Sequence, residues 1–246
     1  MRARKGHARR KARKRLLGEV KGNFGARGKL VKMASETLLR ARAFAFRDRR
    51  AKKRSFRALW IVRVTAACRA RGIPILRRCS GGGAVVQAPG CLNFALVLCL
   101  ASRPGLDSVA RANLSIMTMH RDALAHLVPA PVRIQGITDL TIQGRKVSGN
   151  AQRRGRSHLL FHGTFLLACD LSLMEALLPL PSRAPDYRRS RRHLEFVANL
   201  GLAADVLQEA LRTGWGAREP MEPVPADAID RLVRNRYGRA DWTDKL

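Results

Sequence analysis

The stretch CRARGIPILRRCSGGGAVV, residues 68–86, is where one kind of chain ends and another begins. Residues 1–72 carry 25 Lys and Arg against three acids, whereas residues 73–246 carry 23 against 15. The formal net charge of +30 therefore divides as +22 ahead of the seam and +8 behind it. The Pro, most of the Gly and the uninterrupted apolar runs fall behind it, so that is where a hydrophobic core is expected. Residues 1–72 are too charged to close around a core of their own and need a partner. A polyanion suits them, and nucleic acid is the obvious one, because each neutralised phosphate releases counterions.

Toward the N-terminus, residues 1–15 read MRARKGHARRKARKR. Arg9, Arg10, Lys11, Arg13, Lys14 and Arg15 repel one another in isolation, so order is expected only when phosphates interleave them. Gly18, Gly22, Gly25 and Gly28 then mark a joint or a close backbone approach, with Arg27 and Lys29 beside it. Residues 29–71 contain no Gly or Pro and are rich in Ala, Leu, Arg and Lys, which predicts one long helix. Phe56, Trp60 and Val64 give its later turns a modest apolar stripe. Arg47, Arg49, Arg50, Lys52, Lys53, Arg54 and Arg57 surround the helix with Asp48 the lone acid among them, and Arg63 follows. A solvated helix would alternate such cations with acids at i, i+4; this one is suited to phosphate.

Toward the C-terminus, residues 73–76 and 84–86 are predicted as short strands flanking Arg77, Arg78, Cys79, Ser80, Gly81, Gly82 and Gly83. Glycines there let backbone N–H groups converge on an anion, with the two arginines and Ser80 as side-chain donors. The P-loop spacing is not met. Residues 94–100 read equally as a central strand or a core helix, and residues 110–127 as a helix. Met117 and Met119 are expected in packing, and His120 and His126 on a polar surface. Lys146, in the Gly-flanked run GRKVSGNAQ (residues 144–152), is placed to reach a ligand. His158 and His162 fall on a predicted strand too far apart for easy chelation, and no third ligand is suitably spaced, so no metal site is expected.

Five cysteines, with no C-x-x-C pair and an odd count, favour a reducing, cytoplasmic compartment over a disulfide framework. The basic N-terminus lacks the apolar run of a signal peptide, and residues 92–101 are too short to span a bilayer. Aromatics are sparse and the helix has no broad apolar face, so no membrane partner is expected.

Two family resemblances follow from these motifs. AFAFRDRRAKKRSFRALWIVRVTAA, residues 43–67, with the basic opening and GNFGARGKL at residues 22–30, resembles the N-terminal half of bacterial large-subunit ribosomal protein L20. That likeness implies an arm and helix threaded through large-subunit (23S) rRNA, neighbouring ribosomal proteins as partners, a role in early subunit assembly, a ribosomal location and no cofactor.

RRCSGGGAV (77–85), GITDL (136–140), GRKVSGNAQ (144–152), HGTFL (162–166) and PDYR (185–188) resemble the lipoate-protein ligase A family. This second likeness implies an α+β biotin/lipoate ligase-like domain with a mixed sheet at residues 73–246, following a basic helical arm at residues 1–72. It implies ATP, Mg²⁺ and lipoate or octanoate as ligands, and acyl transfer to lysines of lipoyl-domain proteins. Lys146 would be catalytic, stabilising charge on the carboxylate and α-phosphate. Arg77, Arg78, Ser80, Gly81, Gly82, Gly83, Asp139, Ser148, Asn150, His162 and Gly163 would line the ligand. Gln87 stands where many members have His. The family's opening helix and strands have no counterpart here, so an incomplete sheet with exposed apolar surface is expected.

Overall fold

The computed structural model describes residues 6–181, 184–220 and 223–243, and the arm's first five residues lie outside them. The chain divides into two compact units, Met1–Arg63 and Val64–Lys245.

The first unit is helical, with α1 at Gly6–Glu19, α2 at Ala26–Lys29 and most of α3, Val31–Arg69, whose last turns belong to the second unit. The arm is thus already a helix, contrary to the sequence expectation. Its Ala, Arg, Lys and Leu residues have high helix propensity, and the long cationic side chains spread into solvent. Gly22 and Gly25 take φ of 93° and 60° to turn the chain. A Cβ at Gly28 would sit 2.7 Å from the Asn23 carbonyl oxygen, so this joint is also a close approach. Arg42 of α3 pairs with Glu19 of α1 at 2.5 Å. Val20 and Ala34 are the buried residues among those described in this unit, a very small core.

The second unit is built on five strands: β1 Cys91–Cys99, β2 Val132–Gln135, β3 Asp139–Ile142, β4 Arg145–Arg154 and β5 His158–Leu166. Their order is β1-β5-β4-β3-β2, every pair antiparallel. The expected mixed sheet is therefore antiparallel among the described strands, apart from an isolated parallel bridge between Lys146 and Val197. The apolar run at 94–100 belongs to edge strand β1. Helix α4, Val109–Ala125, starts where Ser108 Oγ accepts the Arg111 N–H. It lays Ile116, Met117 and Leu124 against Leu140, Val147, Leu159, Phe161 and Phe165. The short helices α5 (Ser172–Leu177) and α6 (His193–Phe196) precede α7, Ala204–Trp215, which adds Leu207 to the same core. Helices α8 (Ala226–Leu232) and α9 (Ala240–Thr243) flank a π turn at Val233–Tyr237.

Two expectations are corrected here. Residues 73–76 and 84–86 form no strand, because no neighbouring strand pairs with their backbone, and Leu76 and Val85 are exposed. His120 is not on the surface: it is 1% exposed, edge-on to Phe94 at 4.6 Å and to Trp215 at 5.8 Å. Burial pushes its pKa down to about 4, so the ring packs neutral as an aromatic.

Candidate functional site

Strand alternation gives the sheet two faces. On β5, Leu159, Phe161 and Phe165 point to the α4 side, which leaves His162 and Thr164 on the other. The 77–87 loop meets that second face. Ser80 Oγ lies 2.6 Å from His162 Nε2, and Gln87 Nε2 donates to Thr164 Oγ1 at 2.8 Å. Thr164 Oγ1 in turn donates to Asn93 Oδ1 at 2.6 Å. Burial, and then the Arg78 charge, hold the His162 pKa below its ordinary value, so a neutral imidazole is available to Ser80 near pH 7.

Within the loop, Arg78 acts as a brace. Its guanidinium donates to Ser80 Oγ at 3.1 Å, to the Gly81 carbonyl at 2.6 Å and to the Gly83 carbonyl at 2.9 Å. Gly82 has φ 100°, and a Cβ there would come 2.6 Å from the same guanidinium. Sequence reasoning assigned Arg78 donors to a ligand, whereas several of them are spent on the loop itself.

Lys146 reaches its position by an irregularity the sequence does not announce. The β3–β4 register shifts between Leu140 and Thr141, so Val147 enters the core while Lys146 turns toward the opposite face. Its Cε lies 3.5 Å from where a Gly149 Cβ would be, and Gly149 pairs with Thr164 on the loop side. Lys146 Nζ pairs with Asp139 Oδ1 at 2.6 Å, and Tyr187 OH donates to Asp139 Oδ2 at 2.6 Å. Burial and the Asp139 charge raise the Tyr187 pKa, which keeps it a protonated donor.

Ser148 and Asn150 are not gathered with these groups. Asn150 Nδ2 donates to the Thr138 carbonyl at 2.7 Å and approaches Met117 Sδ of α4, and Ser148 is fully buried beside it. Gly163 is required by this arrangement, since a Cβ would overlap Asn150 Oδ1. The structure thus brings together Arg77, Arg78, Ser80, Gly81, Gly82, Gly83 and His162 around the loop, with Lys146 and Asp139 paired on the same sheet face. Ser148, Asn150 and Gly163 form a support under it. Tyr187 and Gln87 join the polar network without having been singled out as site residues; PDYR was the signal for the first.

The first unit offers a different surface. Arg9, Arg10, Lys11, Arg13, Lys14, Arg15, Arg27, Lys29, Arg47, Arg49, Arg50, Lys52, Lys53, Arg54, Arg57 and Arg63 are all exposed, while Trp60 is half-buried. Phe44, Phe46 and Phe56 are about half exposed, each beneath a cation: Arg47 at 4.7 Å, Arg50 at 4.4 Å and Lys52 at 5.7 Å from the ring centroid. No helix in the described residues is long and apolar enough to cross a membrane.

Two family models match the chain. That of the lipoyl protein ligase A/B catalytic domain matches residues 57–206, and that of ribosomal protein L20 matches residues 2–78. Large ribosomal subunit protein bL20 of Rhodopirellula baltica is 55% identical over 73 residues, covering 30% of this chain and 62% of that protein. The Marinobacter nauticus protein of the same name is 40% identical over 80 residues, 32% of this chain and 68% of the other. The chain thus spans roughly three-fifths of the length of such relatives, 62% and 57% for two of them. Among solved structures, a bi-partite lipoate protein ligase from Thermoplasma acidophilum aligns with TM-score 0.62 at 21% identity over 74% of each chain. A lipoate-protein ligase A bound with ATP aligns with TM-score 0.62 at 23% identity, over 74% of this chain and 76% of that one. At those identities the likeness shows the fold.

Proposed function

The chain belongs to the lipoyl protein ligase A/B catalytic domain family over residues 57–206 and to the ribosomal protein L20 family over residues 2–78, and on that premise we propose that its first unit binds large-subunit rRNA and supports early subunit assembly. One observation carries this reading: the seven exposed cations of α3 at positions 47–57 stand against a single acid, Asp48. Successive residues advance about 100° around a helix, so these seven cations cover roughly 220° of its circumference and leave the remaining arc to Asp48, Ala51 and Ser55. A nucleic-acid backbone lying along that broad face engages most of them at once. The three exposed Phe rings, each carrying a cation, offer unpaired bases a stacking platform. The test is binding of the full chain to 23S rRNA in the presence of excess tRNA, and complex formation that tRNA does not compete away is the expected result.

A second reading is favoured by the paired Lys146 and Asp139 on the loop side of the sheet. It is the ATP-dependent activation of lipoate or octanoate and transfer of the acyl group to lysines of lipoyl domains. ATP supplies the adenylyl group that makes the carboxylate reactive. Lys146 Nζ then lies where a fixed cation stabilises negative charge developing on the carboxylate and α-phosphate. Asp139 and Tyr187 hold that ammonium in place. Ser80, oriented by neutral His162, donates to or accepts from the polar end of the bound acid. A magnesium ion held jointly by Asp139 and Asn150 does not fit, because Asn150 serves the α4 side and both Asp139 oxygens are engaged. Pyrophosphate exchange dependent on octanoate or lipoate, measured on the full chain, tests this reading; no acid-dependent exchange would end it.

A further inference from the structure

The 77–83 loop has no strand to hold it, and one of its anchors comes from the far end of the chain. Trp242 Nε1–H donates to the Arg77 carbonyl at 2.9 Å, across 165 residues of sequence. The indole ring carries the Arg77 guanidinium at 5.4 Å and the Arg236 guanidinium at 4.0 Å, with the Tyr237 ring edge-on at 5.6 Å. Arg153 of β4 lies beside both Cys79 and Tyr237 and owes its raised pKa to them. The turn and helix at residues 233–243 therefore grip the loop at Arg77 and, through Arg153, at Cys79, three residues and one residue ahead of Ser80.

We propose that this C-terminal segment is a clasp that positions the glycine loop for ligand binding, with Trp242 as its central positioning residue. The proposal rests on the acyl-activation reading for its ligand, but its geometry stands on the loop alone. Arg78, Ser80 and Gln87 tie the loop to itself and to the sheet from the ligand side. Contacts at Arg77 and Cys79 fix where it leaves the run 73–76. Releasing Trp242 frees that end, and Ser80 then samples positions away from His162. The sheet and α4 do not depend on the segment: none of α8, the π turn or α9 contributes to the buried core cluster.

The experiment compares the full chain with Trp242→Leu, which removes ring and donor, and Trp242→Phe, which keeps a ring for the two guanidiniums but cannot donate. Hydrogen exchange is read at the amides of residues 79–83 and of β4 and β5, and KM for octanoate and kcat are measured with saturating ATP. In Trp242→Leu, loop exchange should accelerate about tenfold and KM should rise about tenfold, the scale of one lost hydrogen bond, with kcat within about twofold. Exchange in β4 and β5 should not change, and Trp242→Phe should fall between the other two. Loop exchange equal to that of the unsubstituted chain, or equal acceleration in β4 and β5, overturns the proposal. If the unsubstituted chain shows no octanoate-dependent turnover, the acyl-activation reading fails, and the exchange comparison still decides the clasp.

Discussion

In the Met1–Arg63 unit, what meets solvent is a broad band of guanidinium and ammonium groups beside Phe44, Phe46 and Phe56, and what is buried among the described residues is Val20 and Ala34. In the Val64–Lys245 unit, α4 and α7 close over one sheet face and bury Ile116, Leu140, Phe161, Phe165 and Leu207 completely. The first holds its apolar groups out to a partner, the second turns them inward. Charge density explains the difference. Helix propensity suffices to build α1 and α3, but no face of either is apolar enough to recruit a second layer. A sheet has no such independence and must bury one side.

Removing the band of cations has the largest expected effect. Replacing Arg47, Arg49, Arg50, Lys52, Lys53, Arg54 and Arg57 together with Gln should lower rRNA affinity by about a thousandfold or more near physiological salt, because several counterion-releasing contacts are lost at once. Pyrophosphate exchange by the second unit should be untouched, and a parallel loss of both activities would show that the units are not separable in function.

On the other side of the comparison, Lys146→Ala should lower octanoate-dependent turnover by about 100- to 1,000-fold, the scale for removing one aligned electrostatic partner of a transition state. rRNA binding should be unchanged. Turnover within about threefold of the unsubstituted protein would remove Lys146 from the mechanism, since one aligned partner is worth far more.

His120 sharpens the contrast through pH. Its pKa is about 4 in the folded protein against an ordinary 6.5, so the unfolded chain binds the proton more readily. The stability it contributes is complete above pH 6.5 and is lost as pH falls from there toward 4, by about 3 kcal/mol in all. Denaturant unfolding of the second unit should show that decline, and His120→Phe should flatten it. The first unit has no buried titratable group of this kind among its described residues and should show no matching change.

Much of this was legible in the sequence. The Gly- and Pro-free run at 29–71 marked α3, and the strand expected between His158 and His162 is the first half of β5. The cluster of Arg77, Ser80 and three glycines pointed to a loop that His162 then meets. What escaped had physical reasons. The arm's charges suggested disorder, but its Ala, Arg, Lys and Leu content outweighed repulsion between side chains free to spread. Residues 73–76 and 84–86 have strand-forming side chains without a backbone to pair with. The bulge at Val147 adds one residue to β4 and puts Lys146 and Asn150 on opposite faces, so Asn150, which the family likeness assigns to the ligand together with Lys146, turns to α4 instead. His120 looked polar because composition cannot show that Phe94, Phe161, Phe165 and Trp215 surround it. Trp242 was invisible because its partner is 165 residues away.

The most direct measurement of the division between the units is a salt titration of two ligands on the same full-length protein: 23S rRNA and a non-hydrolysable octanoyl-adenylate analogue. For rRNA, the logarithm of affinity against the logarithm of salt should fall steeply, by about 0.7 to 0.9 for each phosphate contacted and so by several overall. For the analogue, held by Lys146 and a partly buried loop, the slope should stay near or below about one. Equal slopes, or an rRNA slope near zero, would contradict the account.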